Sequence, residues 1–377
     1  AYGAGERVEA LVEMTGANGQ PLADHPVRAL LQVGGAAVEE VELTTDETGA
    51  VFVATGLPAE LSSSDGLLTV FVEDGGVTES ISRSVPIVLS EVNLAFFPEG
   101  GDLVEGLPGR VYFEATNAHG EPADVAGYVL DDQGQRVAEL SSVHDGMGRF
   151  LLTPEAGRTY KAVLTAPAGI RGHHALPEAH ASGCVLRSFD DVASTQESVR
   201  VDVRCSKPQN VLVAGVLRNN PLDFAAVEAG PEGATVHLSS DAIALKDAQG
   251  AVRVTVFDPK LNPLAERLVY RGHGRNLNIE FTSDRDTYGP RDEVVLQVKT
   301  TQPSGEPVSA EVALSVADDA VLGLADDENG HMLSRIYLEP ELLESPDDPA
   351  FYFDPDEALA ARGVDLVLGT KGHRRFE

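Results

Sequence analysis

The chain has 377 residues, 60 acidic and 28 basic side chains, and a formal net charge of −32. A field of that sign repels phosphate backbones and anionic lipid surfaces, so nucleic acid and direct membrane contact are not expected. Trp is absent, only six of the basic residues are Lys, and Gly (37) and Pro (22) are abundant, a mix that favours many short strands and turns over long helices.

At roughly 100–200 residues per domain the length suits two to four domains. The acidic, Lys-poor surface suits either a high-salt or extracellular setting or plain solubility. The most apolar run, Val211 to Leu217, falls far short of the ~20 residues of a spanning helix. The N-terminus has no basic region followed by a long apolar core, so the sequence is expected to be a mature form or a fragment of something longer.

The first predicted element is also a repeat. YGAGERVEALVEMTGANGQPL (Tyr2 to Leu22) aligns without a gap on YGPRDEVVLQVKTTQPSGEPV from Tyr288, and a looser copy runs from Gly106 to Ala123. Val8, Ala10 and Val12 alternate with Glu9, Leu11 and Glu13, as Val294, Leu296 and Val298 alternate with Val295, Gln297 and Lys299. Period-two alternation marks a strand with one face in a core. GANGQP and QPSGEP are turn chemistry, so each copy is a strand, a turn and the start of a second strand. Polar turn, Gly and alternating strand recur at Leu43–Pro58, Ser141–Pro154 and Leu245–Pro259.

Repeats of about 90–100 residues with about seven short strands each point to tandem β-sandwiches. The expected fold class is all-β, with tandem antiparallel β-sandwich modules and a short helical C-terminal excursion. Boundaries fall near Ser90, Ala168 and Arg275, giving modules 1–89, 90–168, 169–275 and 276–377, the excursion leaving the fourth from about residue 325. Apolar linkers are expected to hold the modules in a fairly fixed rod or arc. Cys184 and Cys205 flank two predicted strands of the third module; a bridge between neighbouring strands fits an oxidising compartment, the alternative being two buried thiols. In the excursion, helices are expected around Met332–Ile336 and Asp354–Val367, with Asp354 as N-cap, Pro355 at the first position and Glu357 completing a capping box. Phe351, Tyr352 and Phe353 are expected to staple the excursion to the fourth sandwich, or else to form a partner-binding patch.

The stretch from NLAFFPEGGDLVEG through HGEP to HDGMGRFLLTP resembles the macroglobulin-like domains of the bacterial alpha-2-macroglobulin-like family. AVRVTVFDPKLNPLAERLVY resembles the end of another such domain, and DRDTYGP with ALSVADDAVL resembles the opening and closing strands of the fourth. The tail is similar to the family's apolar helix followed by Thr-x-Gly-x-Arg-Arg-Phe, with Lys371 and His373 at positions where Gln and Trp would be expected. The resemblance covers nearly the whole chain and implies macroglobulin or fibronectin-III-like sandwiches. It also implies peptidase entrapment as the best-known activity of the group. The thioester of trapping members needs Cys-Gly-Glu-Gln; here Val-Leu-Arg follows Cys184 and Ser-Lys-Pro follows Cys205, so that chemistry is not expected in this chain.

Other constellations are sparse. Asp326, Asp327 and Glu328 in one turn and Asp284 and Asp286 in another offer hard oxygen ligands for Ca²⁺, though neither matches the Asp-x-Asp-x-Asp-Gly loop with its distal Glu. His173, His174 and His180 are spaced as a metal cluster could be, without any recognised zinc pattern. GxSxG, SxxK, CxxC and phosphate-loop spacings are missing, so no catalytic residues and no cofactor are assigned and an enzyme is not expected. The leading expectation is a non-enzymatic scaffold or binding segment of a secreted or envelope protein, whose partners are proteins, surface polymers or other domains of a longer chain. The alternatives are a calcium-rigidified structural or adhesive stalk or surface-layer element, and accessory modules of a larger enzyme.

Overall fold

The computed structural model describes residues 2–16, 20–59, 61, 63–74, 77–88, 91–170, 172–195, 197–239, 248–272, 277–289, 291–302, 304–316 and 331–376. The described residues form antiparallel β-sandwiches with two short helices near the C-terminus. The one parallel pair among the named strands is Val192–Ala193 against Pro263–Arg271.

In the first sandwich Arg7–Glu13 pairs with Ala50–Gly56, facing a four-stranded sheet ordered Ala36–Thr44, Pro26–Val33, Asp65–Asp74, Val77–Pro86. Period-two alternation sends Val27, Ala29, Leu31 and Val33 inward to meet Val8, Val51 and Val53. The second is a seven-stranded sheet that folds over its own core. Its strand Arg136–His144 pairs with Ala126–Asp131 from Arg136 to Ser141 and with Met147–Leu152 from Ser142 on. Val111, Phe113, Val129, Phe150 and Ala162 fill the interior. The third stacks a three-stranded sheet (Cys184–Ser188, Val199–Cys205, Ala234–Leu238) on a five-stranded one that includes Gln209–Leu217, Gly250–Phe257 and Pro263–Arg271. Cys184 and Cys205 lie directly opposite in that three-stranded sheet, their Cα atoms 4.0 Å apart, and are joined by a disulfide inside the core.

The last part departs from expectation. Beyond residue 276 the described strands are a single ribbon, Asn278–Ser283 with Leu296–Thr301. Residues 331–376 leave this ribbon and pack into the seam between the second and third sandwiches. There, helix α1 (Met332–Tyr337), Leu338 and Leu342 on either side of a 3₁₀ turn at Glu339–Glu341, a second such turn at Phe351–Phe353, and helix α2 (Ala360–Gly369) share one apolar cluster with Tyr112 and Met147 of the second sandwich and Ala251, Leu268 and Tyr270 of the third. The aromatic triplet is a staple, but not to the fourth module. Phe351 stacks on His144 at 3.5 Å between ring centroids, and Phe353 meets Tyr270 edge-on at 6.0 Å.

Asp354 does not cap a helix. Its carboxylate accepts the Asp356 N–H (2.9 Å), Glu357 accepts the Leu359 N–H (2.8 Å), and α2 begins only at Ala360 with Leu359 as its N-cap residue. Local side-chain to backbone bonds here favour turns over helix. Helix forms where Val364, Leu366, Val367 and Leu368 can be buried, as expected when packing rather than propensity supplies the stability.

Candidate functional site: a buried ion network in the seam

Alternation along Gly109–Thr116 has a second consequence. Val111, Phe113 and Ala115 face the core of the second sandwich, which turns Arg110, Tyr112 and Glu114 to the outer face where residues 331–376 dock. Arg149 stands on the same outer face of the neighbouring strand Met147–Leu152, paired directly with Tyr112. From the other side comes Arg267, on a strand buried from Ala265 to Arg271. α2 presents Arg362 and Asp365, three positions apart and so on one face.

Asp365 is the hub. Its Oδ1 accepts Arg267 at 2.6 Å; its Oδ2 accepts the Tyr112 hydroxyl at 2.9 Å and also Arg149; its backbone carbonyl takes Arg267 again at 3.2 Å. Arg149 continues to Asp191 Oδ1 at 2.8 Å, whose other oxygen accepts Arg362 Nε at 2.8 Å. Asp365 is 2% exposed and Arg267 4%. Charges that deep are tolerated because Arg267, Arg149 and the Tyr112 hydroxyl share the Asp365 carboxylate; removing it would strand the others. Burial works against the charge on Arg267, but Tyr112, Asp365 and Glu99 outweigh it and hold the guanidinium pKa above its ordinary value. Burial also pushes the Tyr112 phenol up, so it stays a neutral donor.

Glu99 is the less satisfied member. Its Oε1 accepts the Ser188 N–H (3.0 Å) and Arg267 Nε (3.3 Å), while Oε2 has no hydrogen-bond partner among the described residues. Burial raises its pKa against the pull of Arg267 and Arg110. The void beside it, lined by Glu99, Tyr112, Arg267 and His373, is about 10 Å³, room for one water at most. That void is too small for a small-molecule ligand. α2 approaches so closely that a Cβ on Gly369 would lie 2.3 Å from Tyr112 Cδ1. The tail beyond it packs as well: Lys371 Nζ sits 3.4 Å from both Glu114 and Asp347, and His373 Nε2 donates to the Pro98 carbonyl at 3.1 Å.

The residues singled out from the sequence lie elsewhere. Asp284 accepts the Tyr288 hydroxyl (2.5 Å), the Val295 N–H (3.0 Å) and Arg285 Nε (3.3 Å), so its oxygens serve its own loop; Asp286 is exposed beside it. Asp326, Asp327 and Glu328 lie outside the described residues. His174 extends the edge of the second sandwich by pairing with Ala162, whereas His180 bridges to Val104 and stands 3.7 Å from Asp102. Among the described residues no group of three or more His, Cys, Asp or Glu is gathered to hold a metal. Also among them, no helix is long and apolar enough to cross a membrane. Glu99, Arg267 and Asp365 were missed from sequence. The available signal was a charge inside an apolar run, alone in GVDLVLG and as an adjacent Glu-Arg pair in AERLVY.

No protein-family model and no curated protein matches the chain. Solved structures do. An alpha-2-macroglobulin of Salmonella is 13% identical at a TM-score of 0.31, covering 80% of this chain and 24% of its own. Dimeric latent PorU of Porphyromonas gingivalis is 11% identical at 0.32, covering 72% of this chain and 32% of its own. The Escherichia coli adhesin FdeC is 14% identical at 0.22, covering 72% and 94%. The chain thus spans about a quarter of the Salmonella protein. The relationship to macroglobulin-like folds is weak, and it extends to no residue's role.

Proposed function

We propose that the chain is a non-enzymatic scaffold segment of a secreted or envelope macroglobulin-like protein, holding its sandwiches in fixed relative positions so that their surfaces meet other proteins or other domains. The observation that carries this reading is the Asp365–Arg267–Tyr112–Arg149 network, which ties residues from 331 onward to two different sandwiches at once. Such a seam supports fixed geometry: the Asp365 carboxylate is shared among three donors, and the void beside Glu99 holds one water at most. The disulfide supports an oxidising compartment, and the family resemblance read from the sequence supports the macroglobulin-like assignment.

Spin labels at Val137→Cys and Phe224→Cys, both on exposed positions of the second and third sandwiches, test the reading. A single narrow distance distribution by pulsed electron resonance supports a fixed scaffold. A broad distribution would leave two sandwiches on a hinge and overturn it.

A further inference from the structure

Beside the Asp365 network lies a second, larger cavity of about 470 Å³. Arg110, Arg149, Arg187 and Arg362 line it, against a single acidic residue, Glu139. The chain as a whole carries 60 acidic and 28 basic residues, so this wall inverts the charge balance around it.

Alternation brings these cations together from different parts of the fold. In the second sandwich Val111 and Phe150 face the core, which turns their neighbours Arg110 and Arg149 outward. In the third, Cys184 and Leu186 enter the core, which turns Arg187 outward in the same way. Arg362 arrives on α2.

The nearby carboxylates are already shared. Glu99 Oε1 takes Arg267 Nε at 3.3 Å and leaves Arg110 Nη1 at 3.7 Å. Asp202 Oδ2 takes Arg204 Nε at 2.7 Å and leaves Arg187 Nη2 at 4.0 Å. Asp191 serves both Arg149 and Arg362, and Asp365 both Arg149 and Arg267. Each of these acids therefore faces two guanidinium groups, and Arg110 and Arg187 hold the longer contacts. Arg110 Nη1 and Arg187 Nε are also buried without a hydrogen-bond partner among the described residues. Cations exceed anions here, and a further acceptor would offset both the surplus charge and the unpaired donors.

We propose that this cavity binds one tetrahedral oxyanion, a phosphate or sulfate group, either free or carried as a monoester on a small polar body. Guanidinium groups present paired N–H donors that match such oxygens. The volume falls within the range of about 300–1,000 Å³ of small-molecule sites, so the space beside Ala138 and Leu151 has room for the body of an ester. The inference goes beyond the scaffold reading. It also fails separately from it, since Arg187 and Glu139 make no bond to the Asp365 carboxylate and the spin-label distance does not depend on an anion.

The test titrates the full chain with inorganic phosphate and with glucose 1-phosphate by isothermal titration calorimetry, in chloride at fixed ionic strength. One saturable site is expected. Arg187→Gln should weaken it about tenfold, the loss of a charge-assisted hydrogen bond. Glu139→Gln, at an exposed position on the rim, should strengthen it about twofold. Tighter binding of the ester assigns a carried group, and equal binding a free anion. No saturable binding of either, or unchanged affinity in Arg187→Gln, overturns the proposal. Should Arg187→Gln fail to fold, Glu139→Gln decides alone, and an unchanged affinity there overturns it. So does an equal gain from Glu79→Gln, an exposed position of the first sandwich, which would make the effect one of net charge.

Discussion

Asp365 and Arg267 are 98 residues apart in the chain and 2.6 Å apart in the structure, with neither more than 4% exposed. Removing the carboxylate with Asp365→Ala leaves Arg267, Arg149 and the Tyr112 hydroxyl without their shared acceptor. A broken buried pair typically costs about 3–5 kcal/mol. Denaturant unfolding is expected to show a loss of that order, and a loss below about 1 kcal/mol, the range of a surface pair, would place the network in solvent.

Glu99 sets a pH dependence. Its folded pKa is raised above the ordinary glutamate value of 4.5, chiefly by burial. The folded state therefore holds this proton more tightly than the unfolded state does. Its contribution favours folding at low pH and declines as pH rises from about 4.5 through the raised folded value. Glu99→Gln keeps the Oε1 acceptor and removes the ionisation. The difference in melting temperature, variant minus wild type, should grow as pH rises through that window; a flat difference would show that Glu99 titrates normally.

Gly369→Ala separates packing from propensity. On an open helix the change gains about 0.8–1.0 kcal/mol. Here the added Cβ would meet Tyr112 Cδ1 at 2.3 Å, and overpacking of this kind costs about 1–3 kcal/mol. The variant should be less stable than wild type by chemical denaturation. A more stable variant would mean that α2 does not lie on Tyr112.

The Cys184–Cys205 bridge closes a span of 21 residues. A loop near this length corresponds to about 3 kcal/mol of stabilisation. Reductant should lower the melting temperature, and two titratable thiols in untreated protein would contradict the bridge.

Calcium distinguishes the scaffold from the stalk. Asp284 is already engaged by Tyr288, Val295 and Arg285. Millimolar Ca²⁺ is therefore expected to leave the melting temperature where a chelator leaves it. An ion at 100 times its dissociation constant would add about 2.7 kcal/mol, and a shift of that size would favour the stalk.

Local pattern made much of the fold legible. Val8, Ala10 and Val12 announce a strand because alternation is a property of adjacent residues, and the turns GANGQP and QPSGEP repeat because their Gly and Pro act within six residues. Cys184 and Cys205 flank two strands whose short separation makes pairing natural. The path of residues 331–376 was not legible. Nothing near Phe351 or Asp365 says that their contacts are His144 and Arg267, in sandwiches laid down long before them. Asp354 had the spacing of a capping box, but its carboxylate closes a turn instead, because the helix forms only where α2 finds apolar cover.

Hydrogen exchange across Ala360–Gly369 reads whether this late segment is locked into the seam. These amides are expected to exchange as slowly as those of Gly109–Thr116 and Pro263–Arg271. Asp365→Ala is expected to speed exchange in α2 while leaving Arg7–Glu13 unchanged. Exchange in wild-type α2 tenfold or more faster than in the two strands would contradict it, placing the helix on the surface of the sandwiches rather than within their seam.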